Sequence, residues 1–361
     1  MTIYLAYMLS PLLVWFGFAL FTNRTVNNDN RSKRKYLIVC GIILFLMIGL
    51  RHYGVGSGDA AWYYNNWDAM ANISLSGFAR IMGTFDIENG YLGTVWLLTR
   101  LFEHPQFVFV FYGLLMAISV CRFIYRNCDD VVTGMMMFNC LGLWGFMVQG
   151  LRQGIAMCIC LFALEFAKNR KLLPFLLTVT LATLYHASSI VFLAAYAFTW
   201  LKMDYKGYIS FILISIVTVL MIDRIILWGN IFINDDYVVG SLEDTSGGFV
   251  STAVYLIIII LSVLFYRAEN DKVNTHMSFF FYMTLCGLLT FLMRYNVNTI
   301  MQRVSYYFMF GQIAVLPTVV NKVFVRRQSL FVSAAIIVLS FGIVLYKASY
   351  TVLVPYYFFW Q

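Results

Sequence analysis

Stretches of about twenty apolar residues recur along this chain, each long enough to cross a hydrocarbon core of ~30 Å as a helix. Hydrophobic residues make up 61% of the 361 and charged residues only 12%. In lipid every backbone polar group needs an internal partner, so such a composition predicts an all-α, polytopic integral membrane protein. The longest polar stretch, 53–90, is about 38 residues and too short for a core of its own. We therefore read 1–361 as one transmembrane domain with two external loops, 53–90 and 228–248. The net charge of +8 lies in short clusters between apolar runs, where the positive-inside rule accounts for it; nucleic-acid binding is not indicated. The seven cysteines fall in apolar runs or inner-side loops, which predicts no disulfide framework. Neither they nor the acidic residues Asp235, Asp236, Glu243 and Asp244 show metal-ligand spacing, and no metal or cofactor is expected. The first run, Ile3 to Phe21, lacks a basic n-region and a cleavage site and reads as a retained helix.

Candidate spans are 3–21, 36–52, 106–121, 131–147, 150–167, 208–227, 250–266, 277–293, 300–320 and 329–347. Tyr91 to Phe102 contains Arg100, is too short to span and reads as an interfacial helix. Leu172 to Leu201 would be about 45 Å long as one helix, too long for one upright span and too short for two full ones. Charge balance decides between them. As a single span it would put Lys202, Lys206, Arg267, Lys272, Lys322, Arg326 and Arg327 outside, with only Arg224, Arg294, Arg303 and Lys347 inside. Two short helices meeting near Tyr185, His186 and Ala187 reverse the count and set His186 at the outer tip of a hairpin. The expected result is about twelve spans, with both termini outside.

Basic residues on the expected outer side are Arg51, Arg80, Arg100, Arg152, Arg224, Arg294, Arg303 and Lys347. The bias towards arginine favours a ligand gripped in a planar, bidentate way, such as a phosphate or carboxylate. In the stretch 49–67 an apolar run ends at Arg51 and gives way to glycines, Asp59 and aromatics including Tyr63. A charge at membrane level costs about 3 kcal/mol, so Arg51 either serves a site or snorkels to the headgroups. Gln149, Arg152 and Gln153, spaced i, i+3 and i+4, predict one polar stripe on a helix. His186 can donate a hydrogen bond or carry a proton, or be a satisfied helix-end residue. Arg303 stands one turn from Tyr306 and Tyr307, which suits phosphate and sugar, although both tyrosines also fit an interfacial aromatic belt.

At these positions the chain resembles the EpsG-like family of Wzy-type bacterial polysaccharide polymerases. The resemblance rests on Arg51, Val55, Gly56, Asp59 and Tyr63, then Glu88, Gly90 and Tyr91, then Arg152, Gln153, Gly154 and Ala156, then His186 and Ser188, and last Arg303, Tyr306 and Tyr307. Asp59 stands three residues after Gly56, where the family pattern has two. The resemblance implies a GT-C-like membrane glycosyltransferase in the bacterial cytoplasmic membrane, its site facing the periplasm or exterior. It would join lipid-linked oligosaccharide repeat units, with undecaprenyl-diphosphate glycans as donor and acceptor and undecaprenyl diphosphate released. A flippase and a chain-length regulator of the same pathway are its implied partners. Arg51, Arg152 and Arg303 are expected to stabilise the leaving diphosphate, with Arg294 in reserve, and His186, Asp59 and Glu88 are the candidate bases. Tyr63, Glu88, Tyr91, Gln149, Gln153, Tyr306 and Tyr307 complete the expected substrate-binding set.

Three other classes compete. A flippase needs a charged central cavity, and these spans are nearly free of midplane charge. A membrane O-acyltransferase needs a polar path for its acyl donor. A ligase that moves finished glycan is close in chemistry to a polymerase.

Overall fold

The computed structural model describes residues 2–22, 26–55, 58–82, 87–221, 224, 248–268, 275–294, 300–323, scattered positions from 331 to 342, and 356–361. The regular elements among them are helical. The long ones are α1 (Thr2–Thr22), α2 (Asn30–Gly49), α7 (Gln106–Asn127), α10 (Leu151–Lys168), α14 (Gly248–Ala268), α15 (Thr275–Met293) and α16 (Ile300–Val323). Three described helices are long and apolar enough to cross a membrane, within 3–21, 106–127 and 276–293, and a bent pair makes a fourth. The chain is a helical membrane protein.

That bent pair corrects a sequence expectation. Residues 131–147 read as one span, yet α8 (Val131–Cys140) and α9 (Leu143–Gln149) meet at 51°. Gly142, at φ 81, makes the turn, a conformation that costs glycine nothing and L-residues about 1 kcal/mol. A second break at Gly150 separates α9 from α10. Gln149 therefore ends one helix while Arg152 and Gln153 begin the next, and the expected single stripe does not form.

The stretch 172–201 is two short helical arms, as its length demands. α11 (Leu172–Thr183) rises to a tip at Leu184–His186, and the mixed 3-10 and α arm α12 (Ala187–Trp200) returns. Phe175 early in α11 meets Tyr196 late in α12, with ring centroids 5.1 Å apart, so the arms lie side by side. The stretch 53–90 is more structured than a polar loop. It holds α3 (Gly58–Asn65), α4 (Trp67–Ala71) and α5 (Leu75–Ile81) before α6 (Asn89–Leu101), which covers most of the expected interfacial segment. Arg100 pins this region, with its guanidinium donating to the carbonyls of Ala71 and Ile73 and lying over the Trp96 ring. A further helix, α13 (Tyr205–Leu220), follows the hairpin.

The ends of these helices sort into two faces. At one end Lys33 donates to the Asp129 carbonyl, Arg34 to the Tyr125 hydroxyl, and Arg126 pairs with Glu165. At the other lie Arg51, the start of α6, the start of α10 and the tip of the hairpin. The C-terminal residues join this second end: His52 donates its amide to Tyr357, and Phe359 donates to Leu50. α10 runs between the two ends buried on nearly every side; at 18 residues it is about 27 Å long. All seven cysteines carry free thiols.

Candidate active site

The motifs that are far apart in sequence converge on one carboxylate. Glu88 caps the N-terminus of α6, and its Oε1 lies 2.6 Å from His186 Nδ1 at the hairpin tip. Its Oε2 lies 2.5 Å from Arg152 Nη1 in the first turn of α10. The Ala187 amide also donates to Oε1, at 3.3 Å. The three side chains, Arg152, Glu88 and His186, are 20, 19 and 15% exposed, so the cluster is largely withdrawn from water yet still reachable.

Gly90 fixes the spacing. Its amide donates to the Leu184 carbonyl at 2.8 Å, and a Cβ in its place would meet that oxygen at 2.5 Å. Only glycine lets the start of α6 lie directly on the hairpin tip and so carry Glu88 to His186. The next residue, Tyr91, is fully buried and stacks on Tyr112 of α7, a packing position. Thr94, a turn further on, bonds the Tyr185 hydroxyl at 2.9 Å and closes the same junction.

Burial alone would raise the Glu88 carboxyl. The hydrogen bond from His186, the charge its imidazole carries when protonated and the Arg152 guanidinium outweigh burial and bring it down to about 2. An ionised carboxylate can only accept, so His186 Nδ1 must carry a proton in this bond. In the neutral ring Nε2 is then the unprotonated nitrogen, oriented by Glu88 and competent as a base.

The remaining motif residues close around this centre. Gln153 donates to the Arg303 carbonyl at 2.9 Å, which ties α10 to the start of α16. Ser188, two residues beyond the histidine, bonds the buried Tyr307 hydroxyl at 3.0 Å. Tyr306 stacks on Phe146 of α9, with centroids 4.0 Å apart, and bonds Gln302, which in turn accepts from Arg294 at 2.8 Å. The Arg303 side chain is exposed at this end. Gln149 is half-buried at the end of α9.

Arg51 is placed differently. It is fully buried, donates through Nη1 to the carbonyls of Val55 and Val148 at 2.7 Å each, and lies 4.8 Å over the Phe109 ring. Its burial rules out snorkelling, and these two bonds tie the end of α2 to the end of α9. Asp59 and Tyr63 fall in α3, and their side chains lie outside the described residues, as do Lys347 and the whole acidic loop 228–247. Among the described residues there is no group of three or more side chains suited to a metal ion.

The sequence offers Glu88 as one candidate base among three and does not show its bridging position. The signal that could have found it was the Gly90 that follows, since a glycine in the first turn of a helix marks a close backbone approach. A model of the EpsG family matches residues 34–358, from the start of α2 to the C-terminal segment. The chain belongs to the EpsG family. That match spans every element of the Glu88 cluster, and membership of the family carries a polysaccharide-polymerase type of function. Comparison with curated proteins and with solved structures finds no match.

Proposed function

We propose that this EpsG-family chain is a membrane glycosyltransferase that polymerises lipid-linked oligosaccharide repeat units, with undecaprenyl-diphosphate glycans as both donor and acceptor. The observation that carries the reading is the Glu88 carboxylate bridging His186 and Arg152. His186 Nε2 accepts the proton of the attacking sugar hydroxyl, and Glu88 holds the ring and stabilises the imidazolium that results. The hydroxyl oxygen bonds to the anomeric carbon of the donor as the bond from that carbon to the diphosphate oxygen breaks. Undecaprenyl diphosphate leaves with the electron pair. Negative charge grows on it in the transition state, and Arg152 and the exposed Arg303 stabilise that charge where water is scarce. Arg294 supports from behind, through Gln302 and Tyr306. Apolar grooves between helices take the polyprenyl tails. In the twelve-span reading the site faces the exterior of the cytoplasmic membrane, where the repeat units are delivered by a flippase and their final number is set with a chain-length regulator.

The test is direct. Purified protein incubated with a synthetic polyprenyl-diphosphate repeat unit should yield a ladder of products one repeat apart, together with free polyprenyl diphosphate. Transfer of a single preformed glycan to another lipid, without a ladder, would make the protein a ligase and overturn the reading. Release of acyl groups, or movement of the lipid across the bilayer without new bonds, would overturn it equally.

A further inference from the structure

α10 carries Arg152 at one end and Lys168 at the other, about 24 Å apart along the helix axis. There Lys168, Arg170, Thr199, His276 and Phe279 line a cavity of about 250 Å³. Its floor is buried: the Lys168 side chain is 9% exposed and Phe279 is 1% exposed. Arg170 and His276 form an exposed rim.

Arg170 occupies an unusual backbone position. α10 ends in a left-handed turn in which the Lys171 amide donates to Phe166 and the Arg170 amide to Ala167, with Arg170 at φ 53. Glycine is the usual residue there, and any other costs about 1 kcal/mol. Arginine therefore serves something other than the turn. Its guanidinium donates to the Thr199 carbonyl at 3.0 Å, and its own carbonyl accepts from the Tyr196 hydroxyl at 2.9 Å. The returning arm of the hairpin thus holds this side chain at the rim.

Among the described residues the charges of this corner do not cancel. Glu165 is the carboxylate of this corner; it pairs with Lys168 at 3.3 Å and with Arg126 at 3.0 Å. Among the described residues, Lys168 on α10 and Arg126 on α7, with Arg170 beside them, face that one carboxylate. Directly next to the rim, Leu172, Leu173 and Trp200 are exposed, an apolar strip at the level of the cationic cavity. A diffusing phosphate needs no such strip.

We propose that this cavity binds the phosphodiester headgroup of an anionic phospholipid, in the leaflet opposite the Glu88 cluster. Lys168 and Arg170 take the phosphate, His276 donates to the headgroup, and the acyl chains lie along Leu172, Leu173 and Trp200. Because α10 and α11 both run from this cavity to the catalytic end, an occupied site fastens the two elements that carry Arg152 and His186.

The experiment titrates the purified full-length protein in neutral detergent with phosphatidylglycerol, with phosphatidylcholine or with inorganic phosphate, and follows thermal unfolding. Phosphatidylglycerol should give a saturable stabilisation that the other two do not. Arg170→Gly should melt no lower than wild type without lipid, since glycine suits the turn. It should need about tenfold more phosphatidylglycerol for the same shift, the weight of one charge-assisted hydrogen bond. Lys168→Gln carries the same comparison should Arg170→Gly fail to fold. An equal response to phosphatidylcholine, or variants that titrate like wild type, would overturn the site. Saturable stabilisation by inorganic phosphate alone would overturn the lipid assignment in favour of a free-anion site.

Discussion

Arg51 and Arg152 present the same signal in sequence, an arginine where an apolar helix meets the expected outer side, and the structure uses them in opposite ways. Arg51 is fully buried and donates to the backbone carbonyls of Val55 and Val148. Arg152 remains partly exposed and pairs with a carboxylate that also holds a histidine. A buried guanidinium bound to carbonyls locks chain segments together, whereas one bound to an ionised carboxylate beside a base sets the charge of a reaction centre. The difference between them is therefore one of chemistry, and activity and stability should separate it.

The largest expected effect lies at the proposed base, His186, in the cluster that Arg152 joins. His186→Ala should lower the rate of elongation ~10² to 10⁴-fold while leaving lipid-linked substrate binding nearly unchanged, as loss of a general base does; it should also lower the melting temperature, because Glu88 loses its hydrogen-bond partner. His186→Gln should recover part of the rate only if orientation, and not proton transfer, is the need. Elongation by His186→Ala at the wild-type rate would move the base elsewhere. For the arginines the outcomes should cross. Arg51→Met leaves two buried carbonyls without their donor and should cost about 3 kcal/mol of stability, read by thermal unfolding, with normal turnover in the folded fraction. Arg152→Lys should keep the fold and lose most polymer, because an ammonium retains charge without the planar fork. Equal stability loss in both would erase the distinction.

Acid should probe the same cluster. The Glu88 carboxyl sits at about 2 in the folded protein against an ordinary 4.5, so its contribution is fully present above about 4.5 and is lost as pH falls towards 2. The drop amounts to ~3 kcal/mol. Thermal unfolding measured from pH 6 down to pH 3 should show part of it in wild type and much less in Glu88→Gln. Gly90→Ala tests the junction that brings Glu88 to His186. Its methyl must push α6 off the Leu184 carbonyl, which costs about 1 to 3 kcal/mol as overpacking does, and the displacement of Glu88 should slow elongation more than it destabilises.

Much was legible without coordinates. The apolar runs dictated a helical membrane protein, because lipid leaves the backbone no other way to satisfy itself. The length of 172–201 and the distribution of lysine and arginine were enough to break that stretch into two arms and to set His186 at their tip. The order of short motifs placed the chain beside the EpsG family before any fold was known. Periodicity, however, counts residues and is blind to a break of one or two, so Gly142 split the expected span 131–147 into two pieces, and the turn at Gly150 set Gln149 on a different helix from Arg152 and Gln153. Which arginine binds backbone carbonyls and which pairs with a carboxylate could not be read from residue type, since both stand at the ends of apolar helices and differ only in what lies across from them. Glu88 stands 64 residues from Arg152 and 98 from His186, and their meeting depends on the contact of Gly90 with Leu184. Residue types and apolar runs are local properties that a sequence carries in full. The pairing of charges across helices depends on distances of a few tenths of an ångström between distant segments, which only the packed chain sets.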